Sequence, residues 1–228
     1  MGNIAVGIDT SKDKGRHSKG RRLICAVVGS PEAINRFVSS IESTARLNGY
    51  TGNIHWKHIK APLRERILAE HHNALETLGL RAIIFLATRG EKSRRNYYLK
   101  ECSSAIAADI GSLINERTDS ITVVPDTDFD ALVPSPSLSS QCPSNIFLSE
   151  LLSNLSFAVL GAYIAPIRKK HGASLSAYRK NGRRIKLSGS IGSQSSPEVQ
   201  AADVLLGMYK LARSKNQRLN RVALREIK

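Results

Sequence analysis

Residues 3–29 read NIAVGIDTSKDKGRHSKGRRLICAVVG, and the fold turns on this stretch. Its two ends, Asn3–Asp9 and Arg21–Gly29, are short apolar runs rich in β-branched residues, which predicts two strands. Thr10–Gly20 between them is polar, basic and glycine-bearing, so the strands can pair as a hairpin around a charged loop. The first strand leaves the apolar run on an acid, Asp9.

Outward from this hairpin, Ser30-Pro31 reads as a helix start, serine capping and proline at the first helical position. That helix is expected to run to about Leu47, with Ile34, Phe37, Val38 and Ile41 on one face. Residues 53–59 (NIHWKHI) read as a short strand or an irregular segment, and 62–78 as a helix. Residues 81–87 (RAIIFLA) and 120–125 (SITVVP) are near-continuous apolar runs, the pattern of strands buried on both faces. Helices are expected over 94–116 and 145–167, a basic hairpin over 168–188 around Asn181-Gly182, and a helix from Pro197 through Ala212. The end of the chain is polar and basic, with a helix expected over 219–227. Strands first, then strands alternating with helices, imply an α/β domain with a mixed sheet. The expected organisation is one domain over residues 1–213 and a basic tail over 214–228.

Composition narrows the function classes. The chain has 228 residues, 41 % hydrophobic and 23 % charged, an ordinary globular balance. Its charge is not ordinary: 34 Lys+Arg against 19 Asp+Glu give +15. The excess is clustered. Lys12–Arg22, Arg168–Lys186 and Tyr209–Lys228 together carry +19, and the remainder is −4. Clustered cations suit phosphates, because each neutralised phosphate releases a counterion. Aromatic residues are only 5 %, with Tyr97, Tyr98, Tyr163, Tyr178 and Tyr209 scattered, so a stacking platform for single strands has little support. The three cysteines, Cys25, Cys102 and Cys142, form no zinc pattern and read as reduced thiols of a cytoplasmic protein. No signal peptide is recognised, and the most apolar stretch, 155–167, is too short to span a bilayer. The expected partner is therefore nucleic acid, RNA or DNA, and not a membrane.

The acids supply the candidate chemistry. Asp9 follows a strand, Asp126 follows another with Asp128 two residues on, and Asp203 sits in an apolar helix (VQAADVLL, 199–206). A carboxylate in such a helix is costly to bury unless a metal or a cation pairs with it. Carboxylates from two strand ends and a helix can converge, and hard oxygen ligands of this kind suit Mg²⁺ or Mn²⁺. Such a centre can hydrolyse phosphodiesters. The spacing does not choose between Asp126 and Asp128. Residues 126–130 also look like the start of a calcium loop, but Ala131 and Ser137 stand where glycine and glutamate are required.

A strand ending in Asp9, a second hairpin strand, and the late Gln200-Ala201-Ala202-Asp203 helix resemble the ribonuclease H-like superfamily. Within it the chain resembles domain-of-unknown-function family 3800, through Ile8–Asp13, Asn53–Lys57 and Gln200–Asp203. The resemblance implies an RNase H-like mixed sheet flanked by helices, here with a basic hairpin insertion and a basic C-terminal tail. It departs from the family at Thr10, where glutamate is usual, and in residues 53–57, which hold no acid; Asp13 or His55 can substitute.

The expected activity is metal-dependent nuclease chemistry. Asp9, Asp126 and Asp203 are the expected catalytic residues, the same three and Asp128 the metal ligands. Lys12, Lys14, Arg16, Arg183 and Arg184 are expected to hold the phosphate backbone, and Lys57 to steady the charged transition state. His55 and His58 have three readings: metal ligands, phosphate or general-acid contacts, or partly exposed polar positions. The competing function is a non-catalytic nucleic-acid or ribonucleoprotein binding protein on the same fold, which the missing acid and the basic tail favour.

Overall fold

The computed structural model describes residues 2–12, 21–88, 95–127, 143–178, 181–193 and 195–227. Asp128, Lys14 and Arg16 lie outside these residues, as does Cys142. Lys12 is described only as the last residue of a strand.

The apolar runs form the sheet. β1 (Gly2–Lys12) and β2 (Arg21–Gly29) pair antiparallel, and β2 pairs antiparallel with β3 (Arg81–Thr88). β4 (Thr118–Pro125) lies parallel to β1 on its other side. Beyond it come β5 (Ile167–Lys169), β6 (Gly172–Tyr178) and β7 (Arg184–Ser190), with β7 parallel to β4. β8 (Val222–Ile227) pairs parallel with β3. The eight strands follow the order β5-β6-β7-β4-β1-β2-β3-β8. This is the expected mixed sheet flanked by helices.

Alternation along the strands sorts the two faces. On one face Ala5, Leu23, Cys25 and Val27 pack against α1 (Pro31–Leu47), α2 (Ala61–His71) and α6 (Pro197–Ser214). On the other, Val6, Ile8, Ile24 and Ala26 pack against α4 (Arg95–Gly111) and α5 (Pro143–Leu160). Ser30 caps α1 by accepting from the Ala33 N–H at 3.1 Å, with Pro31 at the start as expected.

Several expectations are corrected. Of the two readings of residues 53–59, the irregular segment holds, with one 3₁₀ turn at Trp56–His58. The helix expected over 62–78 breaks into α2 and a single turn, α3 (Ala74–Thr77). The helix expected to reach Ile167 stops at Leu160, where Gly161 takes φ 71° and Ile167 opens β5. Residues 219–227 are not helical. Residues 222–227 lie as β8 on the edge of β3, where the sheet supplies backbone partners that an isolated tail would lack. The stretch set apart as a tail over 214–228 therefore contributes a strand. Among the described residues no helix is long and apolar enough to cross a membrane.

The thiols behave as core groups. Cys25 is fully buried opposite Asp9, and burial, then the charges of Asp9 and Asp203, push its thiol well above the ordinary value. Burial, then Glu101, pushes Cys102 up to about 12. The fold thus holds two protons that the unfolded chain releases above about pH 8.5. Bound protons are then fewer in the unfolded state, so stability falls as pH rises. From about pH 9 to 11 unfolding free energy is expected to drop by up to about 2.7 kcal/mol per pH unit. Urea melts across that range check it; replacing Cys25 by alanine should roughly halve the slope.

Candidate functional site

Three elements bring carboxylates to one place. Asp9 lies within β1, three residues before its end, so it belongs to the sheet rather than to a turn. Its side chain shares a face with Ala5 and Gly7, the side covered by α6. Asp126 comes directly after β4, and its N–H donates to the Ile8 carbonyl at 2.9 Å, so it extends that strand beside Asp9. Asp203 is carried by α6 in the stretch where the helix crosses β1 and β2. All three line one cleft of about 470 Å³. Their residues are 6 %, 2 % and 9 % exposed respectively. The register explains the meeting of the first two: Ile8 pairs with Pro125, and each aspartate is the next residue on its strand.

Asp203 is firmly held. Its Oδ2 accepts from the Trp56 backbone N–H at 2.7 Å and lies 2.7 Å from His55 Nδ1. A carboxylate only accepts, so His55 donates from Nδ1 in this bond. His55 also meets His58 edge to face at 4.7 Å between ring centroids. Arg64 fixes the same segment from α2, donating Nε to the Trp56 carbonyl at 3.1 Å and Nη2 to the Lys57 carbonyl at 3.0 Å. Residues 55–59 therefore need no ladder. The 3₁₀ bonds from the His58 and Ile59 N–H groups and the charged side chains of Arg64 and Asp203 satisfy their backbone groups.

Cations complete the cleft. Lys57, Arg64 and Lys210 line it with Ser11 and His55. Lys210 Nζ donates to Ser11 Oγ at 2.6 Å. Asp126 Oδ1 accepts from the Thr127 N–H at 2.7 Å. Among the described residues no group of three or more His, Cys, Asp or Glu side chains is set to hold a metal ion.

Of the expected site residues, Asp9, Asp126, Asp203 and Lys57 are thus brought together. Arg183 and Arg184 are not; they stand on the β6–β7 hairpin. Arg183 is committed within the fold, donating Nε to Asp119 Oδ1 at 2.8 Å and Nη1 to the Glu116 carbonyl at 3.1 Å. Arg184 is exposed and donates Nη2 to Ser176 Oγ at 3.3 Å. Sequence reasoning missed Arg64, Lys210 and Ser11. Lys210 carries a signal: it is seven residues after Asp203 and three after Gly207, one helix face. Arg64 carries none, because its partners are backbone carbonyls.

No protein-family model matches the chain, so its likeness to domain-of-unknown-function family 3800 rests on short motifs alone. No curated protein matches it either. Among solved structures it is similar to the ribonuclease H2 from Pyrococcus horikoshii OT3, with a TM-score of 0.42 and 13 % identity. The match covers 93 % of this chain and 74 % of that one. A likeness of that size assigns no residue here a role.

Proposed function

We propose that the protein hydrolyses nucleic-acid phosphodiesters in the cleft lined by Asp9, Asp126 and Asp203. The observation that carries the reading is the meeting of three buried carboxylates, from β1, β4 and α6, with Lys57, Arg64 and Lys210 beside them. Three acids gathered in one cleft repel each other and are costly to desolvate, so they are a poor device for stability. They are a good device for chemistry on a charged phosphate.

The donor set fits Mg²⁺ or Mn²⁺. Mg²⁺ is usually held by one or two carboxylates, with waters and substrate phosphate filling the other positions, so a three-residue protein cage is not required. Asp9 and Asp126, neighbours where β1 and β4 run parallel, suit that role. A cation held there supplies charge neutralisation and activation of water.

The other side chains have separable tasks. Asp203 orients the His55 ring, leaving Nε2 to accept a proton from the attacking water or return one to the leaving oxygen. Lys57 and Lys210 draw the phosphate in and stabilise the charge that develops on it. Trp56, packed under Gly207, holds the segment carrying His55 and Lys57 against α6.

A second reading is a non-catalytic nucleic-acid binding protein on the same fold. It is favoured by the engagement of Asp203 with groups of the chain itself and by the lack of an acid in residues 53–57. Labelled RNA, DNA and RNA/DNA hybrid, incubated with Mg²⁺ or Mn²⁺ and separately with EDTA, distinguish the two. Cleavage abolished by EDTA is the expected result. Binding without cleavage in every lane would leave the second reading standing alone.

A further inference from the structure

α6 covers the sheet over β1 and β2 and reaches β3 and β4. Past β4, on that same side, none of the described helices covers the sheet. Pairing shows which residues share the open face: Ser120 with Lys186 and Ser176, Thr122 with Ser188 and Ser174, and Tyr178 with Arg184. Their opposite neighbours, Ala173, Leu175, Ile185 and Leu187, are buried in the α4–α5 core, with α5 packed on β6 and β7. The open side is thus a half-sheet of hydroxyls and cations. Lys186, Arg184 and Ser176 are exposed, and the Tyr178 ring is exposed at 71 %.

The chemistry of this face differs from that of an ordinary sheet surface. Along β4 and its extension the only acid on this face is Asp126, at the end that enters the cleft. Neither β6 nor β7 contains an acid. Asp119, one residue from the face, is already paired with Arg183 on the other side of the strand. β4 leads from Ser120, beside Lys186, to Asp126 over six residues, roughly 20 Å of strand. Val124, between Thr122 and Asp126 on this face, is buried where Gly192 and Val199 close in on it, so the open part of the face carries the cations and stops short of the cleft.

We infer that the open face of β6, β7 and β4 is a track for single-stranded nucleic acid beside the cleft. Arg184 and Lys186 contact its phosphates, the serine and threonine hydroxyls its backbone oxygens, and Tyr178 stacks on a base. A single strand is specified because the Tyr178 ring can stack only on a base released from its own duplex stack. The inference rests on the nucleic-acid reading of the cleft, but requires binding only.

The test is fluorescence anisotropy with a labelled oligoadenylate of about a dozen nucleotides, in EDTA so that no hydrolysis intervenes, and with the same strand annealed to its complement. Tyr178→Ala is expected to weaken single-strand binding roughly tenfold. The double variant Arg184→Ala/Lys186→Ala should flatten the plot of log K against log salt by about 1.4, at about 0.7 for each phosphate no longer neutralised. Arg46→Ala on α1, where the cation pairs with Glu42, removes a charge off the face and should leave binding unchanged. No binding by the intact protein, equal weakening by Arg46→Ala, or tighter binding to duplex would each overturn the track. Cleavage that persists while the face variants bind normally defeats the track and leaves the hydrolase. Face-dependent binding without cleavage defeats the hydrolase and leaves the track.

Discussion

Asp203→Asn is expected to lower the rate of phosphodiester cleavage by at least about 100-fold, the scale seen when one preorganised electrostatic group is removed. The substitution is chosen for what it keeps. Asparagine has the same shape, and its amide oxygen can still accept the Trp56 N–H that Asp203 holds at 2.7 Å. What disappears is the negative charge that backs the His55 ring and adds to the anionic field of Asp9 and Asp126. Melting temperature should change little, and binding of oligonucleotide in EDTA should be equal or slightly tighter, since a charge of the substrate's own sign has gone. Asp203→Ala is the contrasting variant. It leaves a buried backbone N–H without an acceptor, at a cost of about 1–3 kcal/mol, and should lose stability as well as activity. Full cleavage by Asp203→Asn would mean that the cleft's chemistry does not use this charge. The hydrolase proposal in its present form would then fail.

The second large effect is structural. Gly7→Ala is expected to destabilise the protein by about 3 kcal/mol, the upper part of the range for overpacking. A Cβ on Gly7 would lie 1.9 Å from the Glu198 carbonyl oxygen and 2.4 Å from its carbon. Those atoms are helix backbone in the first turn of α6, so no side-chain rotation relieves the clash; the helix must move. For a chain of this size the cost corresponds to a melting point lower by roughly 6–12 °C. The same displacement would carry Asp203 away from Asp9, so cleavage by the surviving folded fraction should fall too. Gly207 is the companion site, where a Cβ would stand 2.1 Å from the Trp56 ring. A Gly7→Ala protein melting within a degree or two of the parent would show that α6 does not rest on β1 at this point.

These two sites mark the division between what is written locally and what is not. Strand content was legible wherever a run was buried on both faces: β2, β3 and β4 stand within two residues of their expected limits, because their apolar character reflects their own burial. The starts of α1 and α6 were legible for a similarly local reason, a serine followed by proline. β8 was not. Residues 222–227 become a strand only because β3 offers an unpaired edge, which no local pattern reports. The irregular 55–59 segment likewise owes its shape to Arg64 and Asp203, the latter nearly 150 residues away.

The same division runs through the candidate site. Residue order alone sets the chemistry on offer: a basic chain, aspartates beside apolar strands, and a carboxylate in a helix too apolar to hold one idly. It also specifies the hairpin that carries Arg183 and Arg184. Which groups share a space is a product of packing. The parallel register of β1 and β4 sets Asp9 beside Asp126, and the close approach of α6 at Gly7 brings Asp203 to them. Packing also makes Arg183 clamp Asp119 while Arg184 faces outward, although the two are adjacent in the chain. The reason is physical: residue type is a local property, whereas the energy and chemistry of a charge depend on what lies within a few ångströms of it.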